Sequence, residues 1–321
     1  MINDKVVRYL ARIGAEGITG VSADNLASLQ KAHMMSVPYE NYDVWTCTPS
    51  SLAYDVLFDK IVVRRRGGYC FELNGLFGWL LKELGYEVEE YFGRWLKDEA
   101  LKVPARRHRI LKVKVEGREF IADVGVGQRT FLTPLEFVYD KVQNREGVDY
   151  RIIKNDRGES VVEFMADGKW IAFYSFDSAP QDPIDFTYVH YFCCNEPTSV
   201  FRNNLFVHLP SADGRKSIAT VQDPETGMMT EKLSISSAGK SEKCQIKSRT
   251  IRQTETDVGK SAGCRNSERV CAVINKIQCF QCGIAVGTDR HYQRICDTVG
   301  GRVSKLFNFR KQIFQEFNTL L

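Results

Sequence analysis

The stretch that most constrains the fold runs from Cys70 to Gly85. Within it Leu73, Leu76, Phe77, Leu80, Leu81 and Leu84 recur at i, i+3 and i+4, the spacing of a buried helix face, and Gly85 supplies the residue that ends it. From about Tyr86 the period changes. Leu111, Val113 and Val115 alternate with Lys112, Lys114 and Glu116, the pattern of a half-buried strand. Upstream, Asn3 or Asp4 is placed to cap a helix carrying Val6, Tyr9, Leu10 and Ile13 before Gly14, and Ser22 to cap a second with Leu26 and Leu29. Strand-like stretches follow at Asp149 to Ile153, Ser160 to Phe164, Trp170 to Phe176 and Asn204 to Leu209, and predict a small barrel or sandwich. A helical first third followed by a β-rich middle makes the expected class α+β. Beyond about Ser234 the sequence is polar and turn-rich without a clear period, until Val303, Leu306, Phe307, Phe314 and Phe317 restore helical spacing near the end. No internal repeat is present.

Composition narrows the function classes. A chain of 321 residues is too long for one small core and divides into two or three packed units. Its 43% hydrophobic and 26% charged residues are ordinary for a globular protein. Asp4, Lys5, Arg8 and Arg12 interrupt the opening segment, so it does not read as a secretory signal, and no apolar run is long enough to span a bilayer. A cytoplasmic protein without membrane contact is expected. A net charge of +4 is too slight to argue for nucleic acid and suits a polyanionic small molecule equally well. Ten cysteines in such a chain read as reduced thiols. Six of them (Cys244, Cys264, Cys271, Cys279, Cys282 and Cys296) lie in the last 78 residues, but the lone C-x-x-C at Cys279 and Cys282 matches no usual zinc spacing, and no metal is expected.

Cys70 is the first candidate for chemistry. It follows Arg66-Gly67-Gly68-Tyr69 and opens the strong helix, where unpaired N–H groups and the positive dipole end favour a thiolate; read locally, a buried core thiol fits as well. The partners come from a hairpin. If Val115 pairs with Arg118 across the Glu116-Gly117 turn, Ile110 lies opposite Asp123, and His108 and Asp123 become diagonal neighbours on one face. A carboxylate on one imidazole nitrogen fixes the tautomer and leaves the other nitrogen for the sulfur, which makes a Cys-His-Asp triad. His33, His190 and His208 have no comparable local carboxylate, and His291 lies in sequence with no readable organisation.

With these residues in view, the chain from Met1 to about Leu209 resembles the arylamine N-acetyltransferases. The resemblance rests on Arg66-Gly67-Gly68-Tyr69-Cys70 with its helix, on the strand opening at His108, and on Asp123-Val124-Gly125-Val126-Gly127. Pro38-Tyr39-Glu40-Asn41 and Pro197-Thr198-Ser199-Val200-Phe201 complete it, in the family's order. It implies a helical bundle over residues 1–85 carrying the nucleophile, a β-barrel over 86–195 carrying the histidine and aspartate, and an α/β lid over 196–321 in a cysteine-protease-like triad arrangement. It implies acetyl-coenzyme A as co-substrate against the Gly125-Val126-Gly127 backbone, an acceptor pocket lined by Val126, Trp95 and Tyr39, and an Arg66–Glu40 ion pair anchoring the nucleophile loop. Arg106 and Arg107 are placed either to attract the coenzyme's phosphates or to form a solvated charge run, whereas Arg64 and Arg65 read as solvated. The implied acceptor is a small aromatic amine or hydrazine, acetylated in a ping-pong cycle, with no obligate protein partner. The family's C-terminal segment has no counterpart from about Ser234, which puts the lid in question. Two rivals remain: a cysteine hydrolase with the same triad, which the Gly-x-Gly after Asp123 disfavours, and a paralogue or splice product with an altered lid and impaired catalysis.

Overall fold

A computed structural model describes residues 3–18, 20–97, 103–127, 131–211, 214–222, 229–237 and 240–246. Helix α1 (Asp4–Ile13) starts as its sequence predicts: the Asn3 side chain accepts from the Lys5 N–H at 3.0 Å, and Gly14 ends it at φ +69°. Ser22 caps α2 (Ala23–Ser36) by accepting from the Asn25 N–H at 3.1 Å. A short strand β1 (Tyr39–Glu40) and helix α3 (Tyr42–Trp45) lead to α4 (Tyr54–Phe58), which runs into a π-helical turn, Asp59–Val63.

Helix α5 (Cys70–Glu83) is the hub of this part. It packs on α1 and α4 with one side and on the first barrel strands with the other, so its apolar residues are not confined to one stripe. Leu73, Leu76, Phe77, Leu80 and Leu81 are all sealed from solvent, each contributing about 1.5–3 kcal/mol of burial free energy.

The central sheet begins with β2 (Glu87–Trp95), β3 (Arg106–Val115) and β4 (Arg118–Ala122). The β3–β4 hairpin has the predicted register, from Val115 opposite Arg118 to Leu111 opposite Ala122. Its turn residues Glu116 and Gly117 both take positive φ, 52° and 71°, as a two-residue hairpin turn requires. Strands β5 (Leu135–Glu136), β6 (Gln143–Arg145), β7 (Val148–Lys154), β8 (Ser160–Ala166) and β9 (Lys169–Phe176) complete an antiparallel sheet in the order β5-β4-β3-β2-β9-β8-β7-β6.

The Gln143 side chain joins the two edges. Its Oε1 accepts from the Glu136 N–H at 2.9 Å and its Nε2 donates to the Glu136 carbonyl at 2.8 Å. One side chain thus substitutes for a rung of ladder between β5 and β6, and the sheet is a nearly closed barrel. Its core holds Tyr91, Ile110, Ile121, Phe131, Tyr150, Ile152, Phe164 and Phe173. The β2–β3 register slips between Gly93 and Arg94, at the pairing with His108, so a bulge re-aims the chain beside that residue.

The remaining described elements are α6 (Phe186–Asn195), α7 (Val200–Asn203), β10 (Phe206–Ser211), β11 (Gly214–Gln222), β12 (Met229–Ser237) and β13 (Lys240–Ile246). The strands form a second antiparallel sheet, β1-β10-β11-β12-β13. The strand expected over Asn204 to Leu209 begins two residues later. The carbonyl of Asn204 is taken by the Asn41 side chain at 2.8 Å, and the Leu205 N–H by the Thr220 hydroxyl at 2.8 Å, so regular pairing starts at Phe206, opposite Ala219. The period was unreadable from about Ser234, yet β12 and β13 carry pairing through Ile246. The C-x-x-C at Cys279 and Cys282, the helical spacing from Val303 to Leu321 and the rest of the expected lid lie outside the described residues. Among the described residues no helix is long and apolar enough to cross a membrane.

Candidate active site

The loop before Cys70 is clamped by charge. Arg66 donates to Glu40 through Nε at 3.0 Å and Nη2 at 2.7 Å, so the predicted pair forms; Nη2 also reaches Asp43 at 3.0 Å. Lys60 meets Asp43 and Glu72, each at 2.8 Å. Glu72 Oε2 in turn accepts from the Tyr69 N–H at 3.1 Å. Glu40, Arg66, Asp43, Lys60 and Glu72 therefore alternate in sign along a largely buried row that ends on the residue before Cys70. Burial alone would push the Asp43 carboxyl up, but Lys60 and Arg66 together hold it below its ordinary range. Gly67 is required by proximity: a Cβ there would lie 2.0 Å from the Pro38 carbonyl oxygen.

Cys70 opens α5 and is only 2% exposed. Its Sγ donates to the carbonyl of Arg107, the residue before His108, at 3.7 Å. Burial, and then the nearby Cys193, push the thiol well above its ordinary value. The backbone N–H groups of Arg109 and of Phe71, in the first turn of α5, pull the other way and favour the thiolate, but less than burial opposes it.

His108 Nε2 donates to Asp123 Oδ2 at 2.6 Å. The carboxylate is fully buried and its other oxygen is saturated, with Asn74 Nδ2 at 2.8 Å and the Gly125 N–H at 2.9 Å. Asn74 also donates to the Arg109 carbonyl at 2.6 Å and accepts from the Val124 N–H at 2.9 Å. Gln30 Oε1 takes the Asp123 N–H at 3.1 Å. The His108 ring lies 5.2 Å from Tyr174 and 6.1 Å, edge to face, from Trp95. Buried beside Asp123, the Tyr174 hydroxyl makes no well-formed hydrogen bond; burial first and the carboxylate next keep it protonated. A Cβ on Gly125 would lie 2.6 Å from Cys70 Cα and 2.8 Å from Asn74 Nδ2, so the start of α5 and the segment after β4 are in contact. Cys70 thus lies against the segment that follows Asp123, the partner of His108, and Nδ1 is the ring nitrogen that the carboxylate leaves.

The other expected residues fall around this centre. Tyr39 and His208 pack with tilted rings, centroids 6.1 Å apart, and a Cβ on Gly127, at φ +79°, would touch both. A shallow pocket opens between Tyr39, Val124, Gly127, His208 and Met34. Trp95 is half-buried at the rim of the barrel core, and Val126 belongs to that core. Arg107 contributes its carbonyl to Cys70, while Arg106 pairs with Asp177. Arg64 is not purely solvated, since Nε meets Asp59 at 2.7 Å. Asn74, Gln30, Lys60, Glu72 and Tyr174 were not anticipated. Asn74 alone left a trace: it is a single amide four residues after Cys70, one turn along an otherwise apolar helix face.

A sequence profile of the N-acetyltransferase family matches residues 22–248, well over half of the chain. The arylamine N-acetyltransferase of Escherichia coli is 36% identical over 214 residues, covering 66% of this chain and 75% of that protein. The chain belongs to the arylamine N-acetyltransferase family. It is an acyltransferase by that membership. The Mycolicibacterium smegmatis arylamine N-acetyltransferase is 34% identical over 215 residues, 65% of this chain and 78% of that one. Among solved structures, the Salmonella typhimurium arylamine N-acetyltransferase superposes with a TM-score of 0.71 at 25% identity, covering 91% of this chain and 95% of that one. The Mycobacterium marinum arylamine N-acetyltransferase in complex with CoA gives 0.70 at 29% identity, with 86% and 92% covered.

Proposed function

We propose that this arylamine N-acetyltransferase family member carries an acetyl group from acetyl-coenzyme A to a small aromatic amine, hydrazine or N-hydroxyarylamine, through a thioester on Cys70. The observation that carries the reading is the 2.6 Å bond from His108 Nε2 to Asp123, with the Cys70 sulfur against the carbonyl just before that histidine. With Nε2 committed to the carboxylate, Nδ1 is unprotonated and takes the Cys70 proton as the sulfur attacks the donor's carbonyl carbon. Asp123 stabilises the imidazolium that results. His108 then returns the proton to the departing coenzyme sulfur. In the second half-reaction the amine attacks acetyl-Cys70, His108 removes the amine proton, and the sulfur leaves.

Transfer from sulfur to sulfur is nearly balanced, and formation of the amide drives the cycle. Weakly basic aromatic amines suit it because they are unprotonated at neutral pH. The Gly125-Val126-Gly127 backbone and Arg107 would meet the donor, and Tyr39, Trp95 and Val126 the acceptor.

Intact-protein mass spectrometry after exposure to acetyl-coenzyme A tests the proposal. A single acetyl adduct on Cys70, removed by an aniline with formation of the anilide, is expected. Peptide cleavage without amine acetylation would instead make the chain a cysteine hydrolase.

A further inference from the structure

Helix α6 packs its inner face, Phe186, His190 and Cys193, over the start of α5, where Phe186 and Cys193 share one buried cluster with Tyr69, Cys70 and Phe71. His190 has no part in the chemistry above, yet it is 5% exposed and bonded. Its Nδ1 lies 2.6 Å from the Tyr69 hydroxyl, and Tyr69 is the residue immediately before the nucleophile. A phenol is the donor in such a pair, so Nδ1 accepts and Nε2 carries the proton, toward the Ser50 carbonyl. Burial holds the His190 pKa below its ordinary value, which preserves that neutral tautomer.

Ser50 supports the other end of Tyr69 through Glu72. Its hydroxyl donates to Glu72 Oε1 at 3.1 Å, while Glu72 Oε2 holds the Tyr69 N–H at 3.1 Å. Tyr69 is thus gripped at its amide by Glu72 and at its hydroxyl by His190. Phe71 and Phe201 confine the ring from the sides, with centroids at 5.5 and 5.3 Å. A buried phenol without an acceptor is unfavourable, so the Tyr69 ring is strongly biased to the one placement in which His190 satisfies it. Any swing of Tyr69 about its backbone turns the first residue of α5, which is Cys70.

We propose that His190 is a positioning residue of the acetyl transfer: through the Tyr69 hydroxyl it fixes the backbone from which the Cys70 sulfur is aimed at His108. The proposal rests on Cys70 being the nucleophile. In this role His190 acts through Tyr69 and not on the reacting atoms.

The test compares His190→Leu, which removes the acceptor, His190→Asn, whose Oδ1 falls where Nδ1 was, Tyr69→Phe, which removes only the hydroxyl, and the double variant Tyr69→Phe/His190→Leu. Two rates are read per folded molecule, with folding checked by thermal unfolding: single-turnover acetylation of Cys70 at saturating acetyl-coenzyme A, and alkylation of Cys70 by iodoacetamide. Misaiming the sulfur is expected to slow both roughly tenfold in His190→Leu and in Tyr69→Phe, with no further loss in the double variant, recovery to within about twofold in His190→Asn, and an unchanged KM for acetyl-coenzyme A. Wild-type rates in His190→Leu, losses that multiply in the double variant, or an Asn variant as slow as the Leu variant would each overturn the proposal. Wild-type protein that is never acetylated but whose Cys70 alkylation still obeys this pattern would sink the acetyltransferase reading and leave the positioning role standing.

Discussion

At the scale of single residues, the site depends on groups that do no chemistry themselves. Asn74 is the best case, because one amide serves the Asp123 carboxylate, the Arg109 carbonyl and the Val124 N–H at once. Replacing Asn74 with Leu strands an acceptor and a donor of the buried backbone and removes one bond from the carboxylate. A loss of stability of about 2–4 kcal/mol is expected in denaturant unfolding, at the scale of one to two unsatisfied buried groups. Cys70 acetylation should fall further than stability does, because Asp123 is then free to tilt away from His108. Equal acetylation rates per folded molecule would show that Asp123 is held without it. Gly125 gives a complementary case. A methyl group there meets the Cys70 backbone at 2.6 Å, and backbone, unlike a side-chain tip, does not yield easily. Gly125→Ala is expected to cost about 1–3 kcal/mol of overpacking and to separate the thiol from the imidazole. Its readout is slower iodoacetamide labelling of Cys70 in a chain that still melts cooperatively.

At the scale of elements, closure of the barrel rests on a side chain. Gln143 makes two hydrogen bonds from β6 to β5, one to the N–H and one to the carbonyl of Glu136. Gln143→Ala should therefore destabilise the protein by about 2 kcal/mol. In hydrogen exchange the Glu136 amide should lose protection well ahead of amides in β8 and β9; uniform loss across the sheet would mean that closure lies elsewhere.

Elements whose burial is one-sided were legible in the sequence. The β3–β4 hairpin had its register predicted to the residue because Leu111, Val113 and Val115 alternate cleanly and Glu116-Gly117 admits two positive φ values. The first helices were equally plain, with Asn3 and Ser22 as caps. Helix α6 was missed for the opposite reason: aromatic residues surround it, with Phe186 sealed while Tyr188 is 82% and Tyr191 68% exposed, so no apolar stripe marks its inner face. Strands β12 and β13 were missed because Ser, Lys and Glu fill them and polarity masks the period, although their backbone pairing is continuous. Long-range polar partners such as Gln30 and Asp123 leave no local signal, since nothing in either neighbourhood encodes a contact 93 residues apart.

For the molecule as a whole, the buried ionisable groups set how stability responds to acid. His33 sits between Tyr9 and Phe77, fully buried, and neither ring nitrogen has a hydrogen-bond partner among the described residues. Burial, aided by Arg12, lowers its pKa from 6.5 to about 3, and burial with Arg215 lowers that of His208 to about 4. Both groups bind a proton in the unfolded chain before they do so in the fold. Between about 6.5 and these values the unfolded state holds more protons, so stability rises with pH and drains away as pH falls. Asp43 acts in the same direction at lower pH: its depressed carboxyl stabilises the fold above the ordinary carboxylate range, and that contribution disappears as pH falls through the folded value. The protein should therefore lose stability progressively below neutrality, with no plateau between the histidine and carboxylate ranges. His33→Leu separates the contributions. It fills a similar volume between Tyr9 and Phe77 and removes two nitrogens whose desolvation nothing repays, so it should raise stability near neutral pH by about 1–2 kcal/mol. It should also flatten the curve of stability against pH between about 6.5 and 3, leaving the His208 and Asp43 portions. Urea unfolding of both proteins across that range decides the matter. A parallel pair of curves would show that His33 is already protonated, or bonded, in the folded chain.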